Sequence, residues 1–532
     1  MNVDWILDAL RQEFPAEKIE PRSGLRSEAH IVLPPDCIHP AVRLLVEQFD
    51  LRHLSTITGQ DTGSEIEMLY HFWDGQGLTL RTLLSREEPH IATVTDLIPG
   101  ASFYEREVSE LLHVTFDGHP DPRPLLLPDD WNGEAPLRLR PSVKPPARNT
   151  LVPPDGRTAS GWPQECAPPK SGEGRMIIPI GPQHAALKEP LSFLLTVEGE
   201  QIMDSLLRIG YVHRGIERLC QERSYVQNLH LVERICGICS HVHTVVYCQG
   251  VEALLGLEVP RRAVYLRTLL CELERIHSHL LWLGVLAENI GFTTIFMYAW
   301  RDRELALDIM EELSGGRIAH AANVIGGVRN DVHETQVRSI LARLDELERQ
   351  VDALLGVIQH ERTFQVRTRD VGHLSVEQVR RYCAVGPIAR ASGVDVDVRR
   401  DLPYAAYDQL TFRTVTSHEG DVWARTWVRM QETIESLRLC RQVLSELPEG
   451  PITVRAPRRV PPGEAVSRAE APRGELIYYI RSDGSDKPAR VKVRTPTMTA
   501  LITLRDQMRG INIADVPAVV GGMDLCIACV DR

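Results

Sequence analysis

Four cysteines of this 532-residue sequence form two C-x-x-C pairs, a spacing at which two thiolates can bind one metal ion. The first pair, Cys236 and Cys239, lies in ERICGICSHVH, and the second, Cys526 and Cys529, lies in DLCIACVDR. Two such pairs could converge into an all-sulfur tetrad, which suits zinc, nickel and iron. Zinc ribbons usually separate their pairs by about 15–20 residues, whereas these pairs are far apart in the chain. Spacing and ligand type therefore leave a structural zinc site and a redox-active metal equally open.

The other seven cysteines are scattered singly, without a metal-ligand spacing. Because the total of eleven is odd and the opening MNVDWILDALRQEFP does not resemble a secretory signal, we expect no disulfide framework. We expect most of these residues to be buried, inert thiols: Cys37, Cys166, Cys220, Cys248, Cys271, Cys383 and Cys440.

Composition disfavours two classes of function. A formal net charge of −12 works against nonspecific binding of nucleic acid, so we expect no nucleic-acid partner. No stretch reaches the roughly 18 uninterrupted apolar residues that a membrane span needs. The nearest candidate, HLLWLGVLAENIGFTTIFMYAW, is interrupted by Glu288 and Asn289. Any membrane association is therefore expected through a partner.

The elements that must position the cysteines predict a multidomain chain. Residues 1–140 combine an amphipathic opening helix with β-rich runs at 65–73 and 78–84, which predicts a small α+β domain. Residues 141–175 are dense in Pro, Gly and polar residues and predict a linker. Residues 176–532 predict a mainly α-helical domain, because apolar residues recur every three or four positions at 266–280, 337–354 and 423–437.

The residues around the cysteines closely resemble the large, catalytic subunit of [NiFe] hydrogenases. The shared motifs are R-x-C-G-I-C-x-x-x-H and D-x-C-x-x-C-x-x-R, and the final arginine, Arg532, resembles the group 4, membrane-bound, energy-converting enzymes related to respiratory complex I. Residues 103–131 resemble the 30 kDa subunit of complex I, so the fused order resembles the formate hydrogenlyase type. Further stretches agree with the same family: 181–190, 211–219, 273–284, 324–331, 385–393 and 470–479.

The resemblance implies a nickel–iron centre with CO and cyanide ligands on the iron. Cys236 and Cys526 would be terminal nickel ligands, and Cys239 and Cys529 would bridge nickel to iron. No iron–sulfur cluster is expected in this chain, since no further cysteine cluster suits one. An additional magnesium or iron near the C-terminus is a further possibility that the resemblance raises.

Four other residues receive roles from the resemblance. Glu189 in LKEP would relay protons from Cys526, because splitting hydrogen heterolytically needs a base beside the metal; an exposed glutamate is the alternative. Arg473 in EAPRG would reach the cyanide nitrogens, and its alternative is an ordinary ion pair to Glu470 or Glu475. Further expected site residues are Asp524, over the same centre, and His243, which would hydrogen-bond a bridging sulfur.

Two positions depart from the pattern of the family. Leu525 stands where many relatives carry proline, which affects the turn that carries Cys526. Thr293 stands where close relatives often carry aspartate, so one polar contact near the site differs. The resemblance also leads us to expect either a mature chain or a gene without a cleaved C-terminal extension beyond Arg532.

The function implied is reversible reduction of protons to H₂ on the cytoplasmic face of the inner membrane, with peripheral attachment through partner subunits. The expected partners are a small [4Fe–4S] subunit, a ferredoxin-like subunit, integral membrane subunits of a complex I-like arm, maturation proteins, and formate dehydrogenase or another electron donor. One alternative is a complex I-type NADH/quinone oxidoreductase subunit without a Ni–Fe centre, although those subunits lack the four cysteines. A structural zinc protein is the other alternative.

Overall fold

The computed structural model describes residues 3–15, 20–22, 25–26, 28–128, 131, 133–139 and 174–532. The expected linker at 141–175 lies outside the described residues except for its last two positions, and Cys166 lies outside them too. Among the helices of the described ranges, none has both the length and the apolar character that crossing a membrane requires.

The first part of the chain combines three helices with eight short strands. The helices are α1 (Val3–Glu13), α2 (Pro35–Gln48) and α3 (Ser102–Leu112). The strands are β1 (Glu20–Arg22), β2 (Leu25–Arg26), β3 (Glu28–Val32), β4 (Leu54–Asp61), β5 (Glu65–Trp73), β6 (Gly77–Ser85), β7 (His90–Ala92) and β8 (Thr115–Asp117). Five of them form one sheet in the order β1-β3-β6-β5-β4. The predicted opening helix and the predicted strands at 65–73 and 78–84 are confirmed.

Long helices form the core of the second part, as their apolar periodicity predicts. The helices of this part are α4 (Ile216–Glu222), α5 (Tyr225–Glu233), α6 (Ser240–Leu255), α7 (Arg261–Asn289), α8 (Thr293–Ser314), α9 (Glu334–His360), α10 (Arg362–Thr368), α11 (Val376–Arg381), α12 (Pro387–Arg390), α13 (Val398–Asp401), α14 (Val422–Ser445), α15 (Pro496–Met508), α16 (Val516–Gly522) and α17 (Ile527–Asp531). Helices α7, α8, α9 and α14 pack on one another and share a buried apolar cluster. The three predicted helices are α7, α9 and α14.

Sheets interrupt the helices of this mainly α-helical part, at positions that the sequence pattern did not indicate. They are built from β9 (Arg175–Ile180), β10 (Ser192–Glu198), β11 (Gln201–Arg208), β12 (Asn323–Val324), β13 (Gly327–Val328), β14 (Gly463–Ala471), β15 (Gly474–Ser482) and β16 (Pro488–Arg494). Strands β14 and β15 are buried almost throughout, so they lack the alternation of apolar and polar residues by which a strand is recognised. The sequence pattern therefore missed them.

The two parts of the chain are packed directly against each other. Strand β2 from the first part pairs in parallel with β14 from the second. Leu69 of β5 shares a buried cluster with Val466, Ile477 and Tyr479 of β14 and β15. Ion pairs cross the same boundary, including Arg81 with Glu464 and Arg468 with Glu28. The seam between the parts is therefore buried and heavily charged.

Candidate metal centre

The structure brings all four motif cysteines to one buried point. Cys239 immediately precedes α6, and Cys526 immediately precedes α17. The Sγ atoms of Cys236 and Cys526 lie 3.4 Å apart, and those of Cys239 and Cys529 lie 3.7 Å apart. None of the four residues is more than 4% exposed. The two distant pairs thus close into one cage, one thiol of each pair facing one of the other.

The cage cannot hold four negative charges without a cation. The neighbouring thiols Cys239, Cys526 and Cys529 donate hydrogen bonds that lower the pKa of Cys236 well below its usual value. Hydrogen bonding to Cys236 raises the pKa of Cys239 and Cys526 well above the usual value. Because unscreened thiolates repel at this distance, a bound metal ion would supply the positive charge that lets all four ionise.

His243 lies on α6 beside the contact between the sulfurs of Cys239 and Cys529. Its Nε2 is 3.8 Å from Sγ of Cys529, and its Nδ1 is 2.7 Å from the hydroxyl of Tyr478 on β15. Burial lowers the pKa of His243 to about 4, so the imidazole is neutral at physiological pH. A neutral imidazole held by Tyr478 can present one N–H to the sulfur.

Arg473 and Asp524 form a buried pair next to Cys526. The Nη2 of Arg473 donates to Oδ1 of Asp524 over 2.9 Å, and its Nε donates to the Asp524 carbonyl oxygen over 2.8 Å. Lys188 lies 3.4 Å from the same carboxylate. The alternative partners of Arg473 are occupied elsewhere, since Glu470 binds Arg390 and Glu475 binds Arg494.

Several polar atoms of this pair and of neighbouring Arg429 have no hydrogen-bond partner among the described residues. Arg473 Nη1, Arg429 Nε and Arg429 Nη2 are buried without a hydrogen-bond acceptor, and Asp524 Oδ2 is buried without a donor. We call Lys188, Arg429, Arg473 and Asp524 the upstream cluster. Three cations here face one carboxylate, an excess that suits an anionic ligand. A nickel–iron centre with cyanide groups on iron fits these donors and the four thiols.

Glu189 reaches the same segment from the other side. Its Oε2 accepts hydrogen bonds from the backbone N–H groups of Ile527 and Ala528, the latter over 3.1 Å. The carboxylate thereby lies at the start of α17, one residue after Cys526. Together with Lys188, Asn289 and Asp524 it lines a small pocket. Glu189 is therefore not a free surface glutamate.

A second charged cluster lies just beyond Cys529. We call its five residues the downstream cluster: Glu107, Glu217, Arg490, Lys492 and Arg532. Burial alone would raise the pKa of Glu217, but Lys492, Arg490 and Arg532 hold it well below its usual range. Since three cations already pair with the two carboxylates, these residues do not fit a divalent ion. The magnesium or iron expected near the C-terminus is thus not supported by this donor set.

Several residues that shape the site were not predicted from the sequence. Glu274 on α7 accepts hydrogen bonds from the backbone N–H groups of His241 and Val242 over 2.7 and 3.0 Å, which fixes the start of α6. Burial raises the pKa of Glu274 to about 8. Tyr478 and Lys188 lie inside stretches that share the family's motifs, but their partners are too far along the chain for sequence spacing to identify them.

The two departures from the family pattern lie in different surroundings. Leu525 is buried and packs in the core cluster that also contains Val519 and Val530. Thr293 is exposed at the first position of α8.

The single cysteines in the described ranges are buried, as expected. Among the described residues, three side chains of metal-binding type lie close enough together to share one ion: Cys236, Cys239 and Cys529.

The sequence matches three known families. Residues 289–459 and 454–532 match the respiratory-chain NADH dehydrogenase 49 kDa subunit, residues 31–145 match its 30 kDa subunit, and residues 214–352 match nickel-dependent hydrogenase. The chain is 41% identical to the carbon monoxide-induced hydrogenase of Rhodospirillum rubrum, over 67% of this chain and 99% of that protein. It is 35% identical to formate hydrogenlyase subunit 5 of Escherichia coli, over 86% and 79%. It is 34% identical to the C/D subunit of the NADH-quinone oxidoreductase of Phocaeicola vulgatus, over 94% and 99%.

Proposed function

We infer the function from one premise: this chain belongs to the family of large subunits that nickel-dependent hydrogenases share with the 49 kDa subunit of complex I, here fused to a 30 kDa-type domain. We propose that it is the catalytic subunit of a membrane-associated [NiFe] hydrogenase that interconverts protons and H₂. The formate hydrogenlyase type, with H₂ evolution, is the form that the fused order favours.

The observation that carries this proposal is the closed cage of four thiols. The chain matches both hydrogenases and NADH-quinone oxidoreductase subunits over long stretches, so overall similarity does not separate the two. A quinone-reducing subunit without a Ni–Fe centre has no use for four buried sulfurs in contact. A structural zinc site would use the sulfurs, but it would leave the unpaired donors of Arg473 and Arg429 unexplained.

When bound, a nickel–iron centre supplies the chemistry by which two protons and two electrons combine to H₂, or the reverse. Cys236, Cys239, Cys526 and Cys529 would hold it. Arg473, fixed by Asp524, would donate its free N–H to a cyanide nitrogen. His243 would donate to the sulfur of Cys529, with its ring oriented by Tyr478.

The carboxyl of Glu189 is proposed to move protons between the cage and the surface. It lies against the backbone one and two residues after Cys526, and a carboxyl beside a metal-binding thiol can accept its proton and pass it on. The side chain also lines a small pocket beside the segment that carries Cys526. Burial of the cage excludes bulk water, so protons would pass along this side chain and not through solvent.

Electrons must come from a partner. We propose a small [4Fe–4S] subunit as the donor, with a ferredoxin-like subunit and a complex I-like membrane arm attaching the assembly to the cytoplasmic face of the membrane. Formate dehydrogenase is the proposed source of electrons in a formate hydrogenlyase-type complex, and maturation proteins would insert the metals. Family membership supports this set of partners.

The deciding experiment is metal analysis and infrared spectroscopy of the complex, produced in a host with the maturation machinery. We expect nickel and iron in about equal amounts and bands from CO and cyanide. Cys526→Ser should abolish both the bands and H₂ turnover, because a hydroxyl is a poor ligand for a soft metal site. Cys440→Ala, which removes a single buried thiol of α14, is the control. Stoichiometric zinc without the bands would contradict the proposal.

A further inference from the structure

A buried ion pair links the first part of the chain to the segment that carries Cys526 and Cys529. Arg532 is 2% exposed, and its Nη2 donates to Oε1 of Glu107 on α3. Its Nε donates to Oε1 of Glu217 over 3.0 Å. Glu107 belongs to the 30 kDa-type domain, whereas Glu217 belongs to the hydrogenase-type domain. Arg532 is therefore held by both parts of the chain at once.

The remaining contacts of the downstream cluster complete the pairing. The Nζ of Lys492 donates to the second oxygen of Glu107 over 2.6 Å. Arg490 Nη1 donates to the second oxygen of Glu217 over 2.7 Å. Arg490 also donates to the Gly59 carbonyl oxygen of β4, a further contact with the first part of the chain. Every oxygen of the two carboxylates thus has a cationic partner, so removing either carboxylate leaves a buried guanidinium or ammonium uncompensated.

Arg532 is connected to the cage through one turn of backbone. Its N–H donates to the carbonyl oxygen of Ala528 over 3.2 Å, and Ala528 lies between the second pair's two cysteines. The carbonyl of Cys529 accepts from Thr495 Oγ1 over 3.2 Å. Because α17 contains only five residues, Arg532 lies within one helical turn of Cys529.

We propose that Glu107 is a positioning residue for the metal cage: through Arg532, the 30 kDa-type domain clamps the segment 526–532 and keeps Cys526 and Cys529 facing Cys236 and Cys239. The domain is then part of the catalytic machinery's support and not only an attachment to neighbouring subunits. This inference rests on the proposed function for its expected change in nickel content. The clamp itself can be measured by hydrogen exchange, without a metal.

The test compares hydrogen exchange in the full-length chain, within its complex, for the wild type and Glu107→Gln. The substitution keeps the shape of the side chain and removes the charge that Arg532 and Lys492 share. We expect amide exchange in peptides covering 523–532 to accelerate at least about tenfold, with α9 peptides unchanged, and the nickel content to fall. If Glu107→Gln does not accumulate as folded protein, Glu107→Asp takes its place. Because aspartate keeps the charge on a shorter side chain, exchange at 523–532 should be faster than in the wild type but by less than the factor expected for Glu107→Gln.

Glu464→Gln is the matched control, because Glu464 pairs with Arg81 across the same two parts of the chain but lies outside the downstream cluster. It should change exchange at 523–532 by less than about twofold. Equal acceleration in both variants, or none in Glu107→Gln, would overturn the clamp. A wild-type chain that binds no nickel, yet loses protection at 523–532 on Glu107→Gln, would instead contradict the proposed function and leave the clamp standing.

Discussion

The two charged clusters on either side of Cys526 and Cys529 both combine arginine and lysine with carboxylates, but they differ in how completely their polar atoms are paired. The upstream cluster surrounds Asp524 with Lys188, Arg429 and Arg473, and it leaves several buried N–H groups without acceptors. In the downstream cluster every buried polar side-chain atom has a partner. Both clusters contain three cations, but the upstream cluster supplies one carboxylate for them and the downstream cluster supplies two.

The difference shows which cluster is arranged for a ligand and which for stability. An unpaired buried donor costs free energy, and a fold retains it only when something else compensates. Beside the cage, that compensation is the anionic group that we propose the thiols hold. Around Arg532 the chain supplies its own acceptors, so nothing is left for a ligand. Substitutions that change one cluster at a time test this difference between the clusters.

The largest effect is expected at Glu189, which lies between the clusters and caps α17. Glu189→Gln retains an oxygen that can accept from Ile527 and Ala528, so the cage should assemble with its full nickel content. It removes the exchangeable proton, and H₂ turnover and H/D exchange should fall by on the order of 10²- to 10⁴-fold. Glu198→Gln, at the exposed end of β10, is the control. Near-normal H/D exchange in Glu189→Gln would assign the relay to another residue.

A smaller effect is expected from conservative substitution of arginine in each cluster. Arg473→Lys keeps the charge but removes the forked donor, so turnover should fall by on the order of 100-fold, with shifted cyanide bands in the infrared. Arg490→Lys makes the same change in the downstream cluster, where an ammonium can still pair with Glu217. Because the positive charge that pairs with the buried Glu217 is retained, we expect its turnover to stay within about threefold of the wild type. Equal losses in the two variants would remove the distinction between the clusters.

The smallest effect is expected from changing the pH, which protonates Glu217 of the downstream cluster only under acidic conditions. The folded-state pKa of Glu217 is held below its usual value of 4.5 by Lys492, Arg490 and Arg532. A lowered pKa contributes stability that is fully present above the unfolded-state value and is lost as the pH falls below it. Hydrogen exchange at 523–532, after correction for intrinsic rates, should therefore show an opening that grows as the pH falls below about 4.5. A separate change near pH 6 would come from Asp531, whose pKa burial raises to about 6. Opening that begins near pH 7 would show that another group controls this segment.

Apolar periodicity in the sequence identified three long helices, of which α9 buries one face and α7 and α14 are buried on most sides. Helices α7, α9 and α14 each have apolar residues every three or four positions, and the structure has helices at these places. Strands β14 and β15 escaped prediction because both of their faces are buried, which removes the alternation on which strand prediction depends. The packing of the first part on the second also left no local signal, since it depends on residues such as Leu69 and Val466 that are far apart in the chain.

For the candidate site, the sequence motifs identify the side chains that are available: four thiols, an arginine, an aspartate, a glutamate and a histidine. Folding sets which sulfur faces which, that Arg473 pairs with Asp524 and not with Glu470, and that Glu107 reaches Arg532 from another domain. The physical reason is that side-chain chemistry and short spacings are local properties of the chain. Pairing of buried charges, by contrast, depends on distances that exist only after both parts of the chain have packed together.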